Sequence, residues 1–245
     1  MFLTNRQPAL QPSLLETLMH DRLRFAIQPI EPFGAPNLCR FEWFFRPQVR
    51  GMTTQQVFDE LGDDEDSWAL EARIVEHGLR WSAEKRCPVS LNLSPGAISV
   101  AACRHRLREL ISRHCGRAPQ AWWEITESWP LADPVEGRRT LELLRDAGQL
   151  IAFDDVASTS RLRDWVGSLG DPDVVKVDQS VVQRRPEALA ELVDAIHGYG
   201  AMAVIEGVET YAGYLEARRS GASHWQGYYL ATPEYVVDEH ERQEY

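Results

Sequence analysis

Six short strand-like runs in this chain finish on carboxylate, amide or ammonium groups: 41–46, 90–92, 123–127, 153–155, 175–178 and 204–209. Longer helical patterns fill most of the intervals. Apolar runs that alternate with helices indicate repeated βα units around a largely parallel sheet. Strands are predicted near 23–30, 38–45, 89–93, 121–125, 150–154, 174–177, 201–205 and 223–227. Helices are predicted at 54–61, 67–85, 100–114, 134–147, 161–168, 186–199 and 211–219. Eight strands in 245 residues suggest a closed α/β barrel. Asp133-Pro134 and Arg185-Pro186 place proline at the first helical position, and Gly148 and Gly200 follow helices where a left-handed cap is wanted. Residues 1–20 are expected to form an N-terminal extension or helix, 21–236 the barrel domain and 237–245 a polar tail, with an acidic loop at 62–66.

A hydrophobic content of 44% excludes disorder as the main state, and the length suffices for a full core. The formal charge of −11 gives no basic footprint for a nucleic-acid duplex or an anionic membrane, so a phosphate-bearing ligand needs local cations. No apolar run reaches transmembrane length. Cys39, Cys87, Cys103 and Cys115 show neither C-x-x-C spacing nor a secretory framework, and the first residues lack a signal-peptide core. A reducing cytoplasm is the expected setting.

Strand geometry gives the polar groups a direction. Side chains alternate faces, so Glu42, Phe44 and Arg46 share one side of their strand while Phe41, Trp43 and Phe45 share the other. The same alternation turns Asn92, Glu124 and Lys176 away from their apolar neighbours. In (β/α)8 barrels the carboxyl ends of the strands converge on one mouth, where Glu42, Asn92, Glu124, Asp154, Asp155, Lys176 and Glu206 would meet. Charged groups are rarely buried unless they are paired or bind a metal, and these are oxygen donors with no His or Cys among them. That set favours hard Mg2+ or Mn2+ over Zn2+. Adjacent Asp154 and Asp155 could bridge two ions, as in-line phosphoryl displacement requires, and Lys176 could orient water.

From about Phe25 to Pro233 the chain resembles EAL domains, bacterial phosphodiesterases that cut cyclic di-GMP to the linear dinucleotide. Phe25-Ala26-Ile27-Gln28-Pro29-Ile30 looks like the family's opening strand, and Glu42-Trp43-Phe44-Phe45-Arg46 lies where E-A-L-x-R belongs. Asn92-Leu93-Ser94, Glu124-Ile125-Thr126-Glu127, Asp154-Asp155, Val175-Lys176-Val177-Asp178, Glu206-Gly207-Val208-Glu209 and Gln226-Gly227-Tyr228 follow in the family's order. The resemblance implies a modified TIM (β/α)8 barrel whose first strand is antiparallel to the others, and ligands for two Mg2+ or Mn2+ ions. Glu42, Asn92, Glu124 and Asp154 would hold the first ion, with Asp154 and Asp155 reaching the second. Glu206 would hold or deprotonate water, and Lys176 would steer the attacking hydroxide. Gln28, Arg46 and Gln226 would contact the dinucleotide, Arg46 through a phosphate oxygen. Glu127, Glu209 and Asp178 would orient loops and ligands. Family habit further implies a homodimer, and control is expected from a separate regulatory protein or from expression level.

Two departures stand out. Trp43-Phe44 replaces Ala-Leu, which predicts bulkier barrel packing with the chemistry retained. After Asp155, Val156-Ala157-Ser158-Thr159-Ser160 replaces a stretch that in the family carries two glycines and a phenylalanine. Ala157 or Thr159 would resist the backbone angles that glycine permits, so an altered loop and slower turnover are expected, and restored glycines should raise the rate. Simpler roles stay open at each residue: Glu42 as partner of Arg46, Asp154-Asp155 as a helix cap, Lys176 paired with Asp178. Two other functions also fit parts of the pattern. One is a catalytically weak module that binds cyclic di-GMP or a protein partner. The other is a retaining glycosidase using Glu124 and Glu206, which leaves Asn92, Asp154, Asp155 and Lys176 without roles.

Overall fold

The computed structural model describes residues 13–20, 23–35, 39–49, 51–62, 65–126, 132–184 and 186–236. Glu127, Leu38, the centre of the acidic loop and the 237–245 tail lie outside the described residues. Among the described residues nine strands form one sheet: β1 (Arg24–Pro32), β2 (Arg40–Arg46), β3 (Val89–Leu93), β4 (Trp122–Ile125), β5 (Leu150–Val156), β6 (Val174–Val177), β7 (Met202–Ile205), β8 (His224–Trp225) and β9 (Glu234–Tyr235). The order runs β2-β3-β4-β5-β6-β7-β8-β1, and β1 pairs back onto β2 to close the ring. β1 is antiparallel to both β2 and β8, while the pairs from β2 to β8 are parallel. The expected modified barrel is therefore present.

The seam between β1 and β8 is short. Only Glu31↔Trp225 and Pro32↔His224 pair there, at the floor, and β9 lies against Ala26 and Ile27 farther up. Strands β4 and β6 are buried along their whole length, the pattern of parallel strands covered on both faces.

Ten helices occur among the described residues: α1 (Leu14–His20), α2 (Thr54–Leu61), α3 (Glu65–Lys85), α4 (Pro95–Ile98), α5 (Ala101–His114), α6 (Pro134–Asp146), α7 (Thr159–Leu169), α8 (Gln179–Arg184), α9 (Pro186–Gly198) and α10 (Tyr211–Arg219). Seven match the helical periodicity of the sequence to within two residues at either end. The other three, α1, α4 and α8, are of seven residues or fewer, too short to establish a period. Local chemistry sets the boundaries. Asp133 accepts from the amides of Val135 and Glu136 ahead of Pro134, and Thr53 with Gln56 forms a capping box on α2. Gly148 and Gly200 stand at φ 74° and 76°, the left-handed conformation expected of them.

The outer faces of the strands pack on the helices through Trp43, Trp123, Ile125, Phe153 and Val175. Trp43 stacks on Phe25 at 4.6 Å and donates its indole N–H to the Ile74 carbonyl, so this departure from the family pattern is helix-facing packing. Inside the ring, Ile30, Trp122, Ala152, Val174 and Val204 fill a separate apolar layer. Arg40 lies over Trp122 at 4.3 Å and His224 meets the same ring edge-on at 5.4 Å, completing the floor. A plugged floor leaves the other end of the barrel as the place where polar groups can meet a ligand.

Candidate functional site

Lys176, on β6, is 1% exposed and lies at the centre of the polar layer above the floor. Its Nζ is 2.8 Å from Glu206 Oε1, 3.0 Å from Glu124 Oε2, 3.0 Å from Asp154 Oδ1 and 3.2 Å from Glu42 Oε2. The Asp154 contact is an ion pair without hydrogen-bond alignment, since that oxygen has no directed donor. Four strand ends thus deliver carboxylates to one ammonium. Asn92 Nδ2 reaches Glu42 Oε1 at 3.5 Å, adding the sixth of the sequence-predicted groups to the cluster.

Asp155 joins through a break in strand regularity. Consecutive residues of a strand face opposite ways, which would send Asp155 away from Asp154. Between Phe153 and Val156, however, β5 carries one residue more than β6, and Asp155 adopts φ 53°. This bulge turns both carboxylates to the mouth. One oxygen from each of Asp154, Asp155 and Glu206 then lies within 4.8 Å of the others, close enough to hold a single cation. The left-handed residue is Asp155 itself and neither Ala157 nor Thr159, so the altered loop raises no obstacle of the kind expected. Instead Ser158 accepts from the Arg161 amide and caps α7, which begins at Thr159.

Burial sets the electrostatics. Loss of water, then the neighbouring carboxylates, hold the Glu124 carboxyl well above its ordinary range, and desolvation does the same for Glu206 and, to a smaller degree, Asp154. Burial opposes charge on Lys176, but Asp154, Glu124, Glu206 and Glu42 more than offset it and keep the ammonium charged well above its usual range. Five carboxylates against one ammonium leave a formal −4 when all are ionised, which is unfavourable in a dry barrel without further cations. Hard, oxygen-preferring divalent ions match this donor set.

The remaining predicted residues fall into three groups. Gln226 donates from Nε2 to Glu42 Oε2 at 2.8 Å and to Gln28 Oε1 at 3.1 Å, and Gln28 donates to the Ala231 carbonyl at 2.8 Å. Both glutamines are buried, so they bridge the upper seam and steady Glu42 as well as bordering the cleft. Glu209 is exposed on the cleft wall. Arg46 lines an adjoining cavity and not the carboxylate cleft, and Asp178 Oδ1 accepts from the Ser180 amide at the start of α8 and does not pair with Lys176.

Three contributors were not singled out from the sequence. Ser90 is fully buried and donates its hydroxyl to Glu124 Oε1. It shares a strand face with Asn92, two residues on, so the alternation that selected Asn92 also points to Ser90. Glu71 of α3 accepts from the Ser94 amide and hydroxyl, and so ties α3 to the loop after Asn92. Gly207, at φ 61°, lets the chain beyond Glu206 pass Gln179, whose Cβ would lie 2.3 Å from an added Cβ.

The cleft above this cluster encloses about 580 Å3 and includes Asn92, Asp154, Asp155, Lys176 and Glu206 in its lining. The adjoining cavity of about 310 Å3 shares Phe44, Asn92 and Asp155 with it.

Among known proteins, the cyclic di-GMP phosphodiesterase PdeF of Escherichia coli K12 is 26% identical over 187 residues, a match covering 70% of this chain and 24% of PdeF. The chain thus spans about a quarter of the length of that relative. The EAL domain of FimX superposes with a TM-score of 0.77 at 18% identity, covering 91% of this chain and 97% of the other. The manganese and cyclic di-GMP complex of BlrP1 from Klebsiella pneumoniae superposes with a TM-score of 0.73 at 20% identity, covering 88% of this chain and 57% of the other. The family model for the EAL domain matches residues 11–233, and this chain belongs to that family.

Proposed function

We propose that the protein is a metal-dependent phosphodiesterase that opens cyclic di-GMP to the linear dinucleotide. The observation that carries this reading is the convergence of Glu42, Glu124, Asp154 and Glu206 on Lys176 Nζ, with Asp155 brought alongside by the bulge. Glu42, Asn92, Glu124 and Asp154 would hold one Mg2+ or Mn2+, and Asp154, Asp155 and Glu206 the second. Such ions supply positive charge against the diester and acidify water.

The chain's own groups position and move protons. Lys176 stays an ammonium, so it donates hydrogen bonds from Nζ and is no base at neutral pH. Glu206, whose carboxyl is pushed upward by burial, is the group placed to take a proton from water at its free oxygen. Ser90 and Gln226 fix Glu124 and Glu42 in rotation. Glu124 is fully buried and does not line the cleft, which speaks against the glycosidase reading.

The test is hydrolysis of cyclic di-GMP with Mn2+ or Mg2+, with chelator, and with a Lys176→Met variant. Linear dinucleotide should form only with divalent cation. Lys176→Met should lower kcat by at least about a hundredfold, a loss typical of removing one electrostatic donor from an active site. Tight binding without product would assign the protein to the binding modules instead, and chelator-insensitive turnover would overturn the metal requirement.

A further inference from the structure

The floor of the barrel holds a second cation. Arg40 stands two residues before Glu42 on β2, and Trp122 two residues before Glu124 on β4. Strand alternation therefore puts Arg40 and Trp122 on the same inner face as the two carboxylates, one layer beneath them. The Arg40 guanidinium is half-buried and lies 4.3 Å from the centre of the Trp122 ring. Its Nη1 donates to the carbonyls of Gln120 at 2.8 Å and Val89 at 3.0 Å. Among the described residues no carboxylate reaches it at ion-pair distance, so its contacts are two neutral carbonyls and a ring face. Burial lowers its pKa to about 10 against the pull of the Glu124 carboxylate, and the charge is kept at neutral pH. Its neighbour His224, at about 4, is uncharged there. A desolvated cation with no acid in contact needs compensation from farther away, and the net negative carboxylate layer above supplies it.

We infer that Arg40 is a positioning residue for the metal centre: a fixed counter-charge that holds Glu42 and Glu124 together in the metal-free barrel and opposes the entry of the divalent ions. This rests on the metal-dependent reading of the site. The sign of the effect separates it from mere packing. Loss of a packing residue loosens the carboxylates and weakens metal binding, whereas loss of a like charge strengthens it.

The experiment compares wild type, Arg40→Gln and Arg40→Lys in calorimetric titration with Mn2+ and in urea unfolding without metal, no nucleotide being added. Glutamine keeps an amide donor for the carbonyls and removes the charge, while lysine keeps the charge. Arg40→Gln should bind Mn2+ about fivefold more tightly than wild type, and Arg40→Lys should stay within about twofold of it. The metal-free urea midpoint should fall further for Arg40→Gln than for Arg40→Lys. Unchanged or weaker Mn2+ binding by Arg40→Gln would overturn the counter-charge and leave the metal reading standing, as would equal tightening in Arg40→Lys. Should Arg40→Gln not fold without metal, recovery of native circular dichroism at saturating Mn2+ supports the inference and lack of recovery overturns it. A wild type that takes up no Mn2+ would overturn the metal reading and the counter-charge together.

Discussion

At the scale of single residues, Asp155 shows how a backbone irregularity makes a site. Its left-handed conformation is uncommon for a side chain with a Cβ, and Asp and Asn tolerate it better than most because their short polar groups bond locally. Asp155→Asn should therefore preserve the bulge, while Asp155→Ala should lower stability by about 1 kcal/mol more than Asn does. Urea midpoints of the two variants measure the difference. Both variants remove a carboxylate from the trio with Asp154 and Glu206, so Mn2+ should raise the melting temperature of each less than that of wild type. Equal stability of the Asn and Ala variants would show that the conformation carries no such preference.

Much of the residue-level pattern was legible in the sequence. Glu42, Asn92, Glu124 and Lys176 face one space because strands alternate, and they were found by that rule. Asp155 obeys no such rule: its orientation depends on pairing with β6, a contact between chain segments that no local pattern records. The hub role of Lys176 was equally hidden, since its partners come from β2, β4, β5 and the end of β7.

At the scale of elements, the turn from β5 into α7 lacks the glycines expected of it, and the backbone strain that their loss predicts does not arise. Ser158 caps the helix, and Thr159 is its first residue in ordinary helical conformation. Restoring glycine at 159 should therefore give no gain in turnover and should cost up to about 1 kcal/mol in helix propensity. Ser158→Ala should cost about 1 kcal/mol through the lost cap. Urea unfolding and steady-state rates on the two variants check both statements, and faster turnover of Thr159→Gly would restore the view that the loop is impaired. Helix and strand boundaries elsewhere followed from proline, glycine and apolar periodicity. The elements that escaped, α4, α8 and β9, are short pieces stabilised by the barrel around them.

For the whole molecule, the barrel floor links fold and pH. His224 faces Arg40 from β2, Trp122 from β4 and the hydroxyl of Ser223. Burial, then the Arg40 charge, lowers its pKa from 6.5 to about 4. The unfolded chain thus takes up a proton at this residue below 6.5 that the native barrel refuses until about 4, so the contribution of His224 to stability falls as pH drops across that interval. Above 6.5 the contribution is fully present. Urea midpoints at several pH values should show wild type losing more stability on acidification than His224→Gln. The buried carboxylates act in the opposite sense, but they are common to both proteins and cancel. Parallel slopes for the two proteins would refute the assignment.

The seam between β1 and β8 gives this architecture a mechanical bias. Two residue pairs lock the ring at its base, whereas near the mouth the amides of Gln28 and Gln226 make the join, and one of them also grips Glu42. The opening strand therefore reaches Glu42 twice, through the Gln28↔Glu42 strand pair and through the Gln226 amide. The same pair of glutamines thus closes the upper wall and braces a carboxylate of the candidate site.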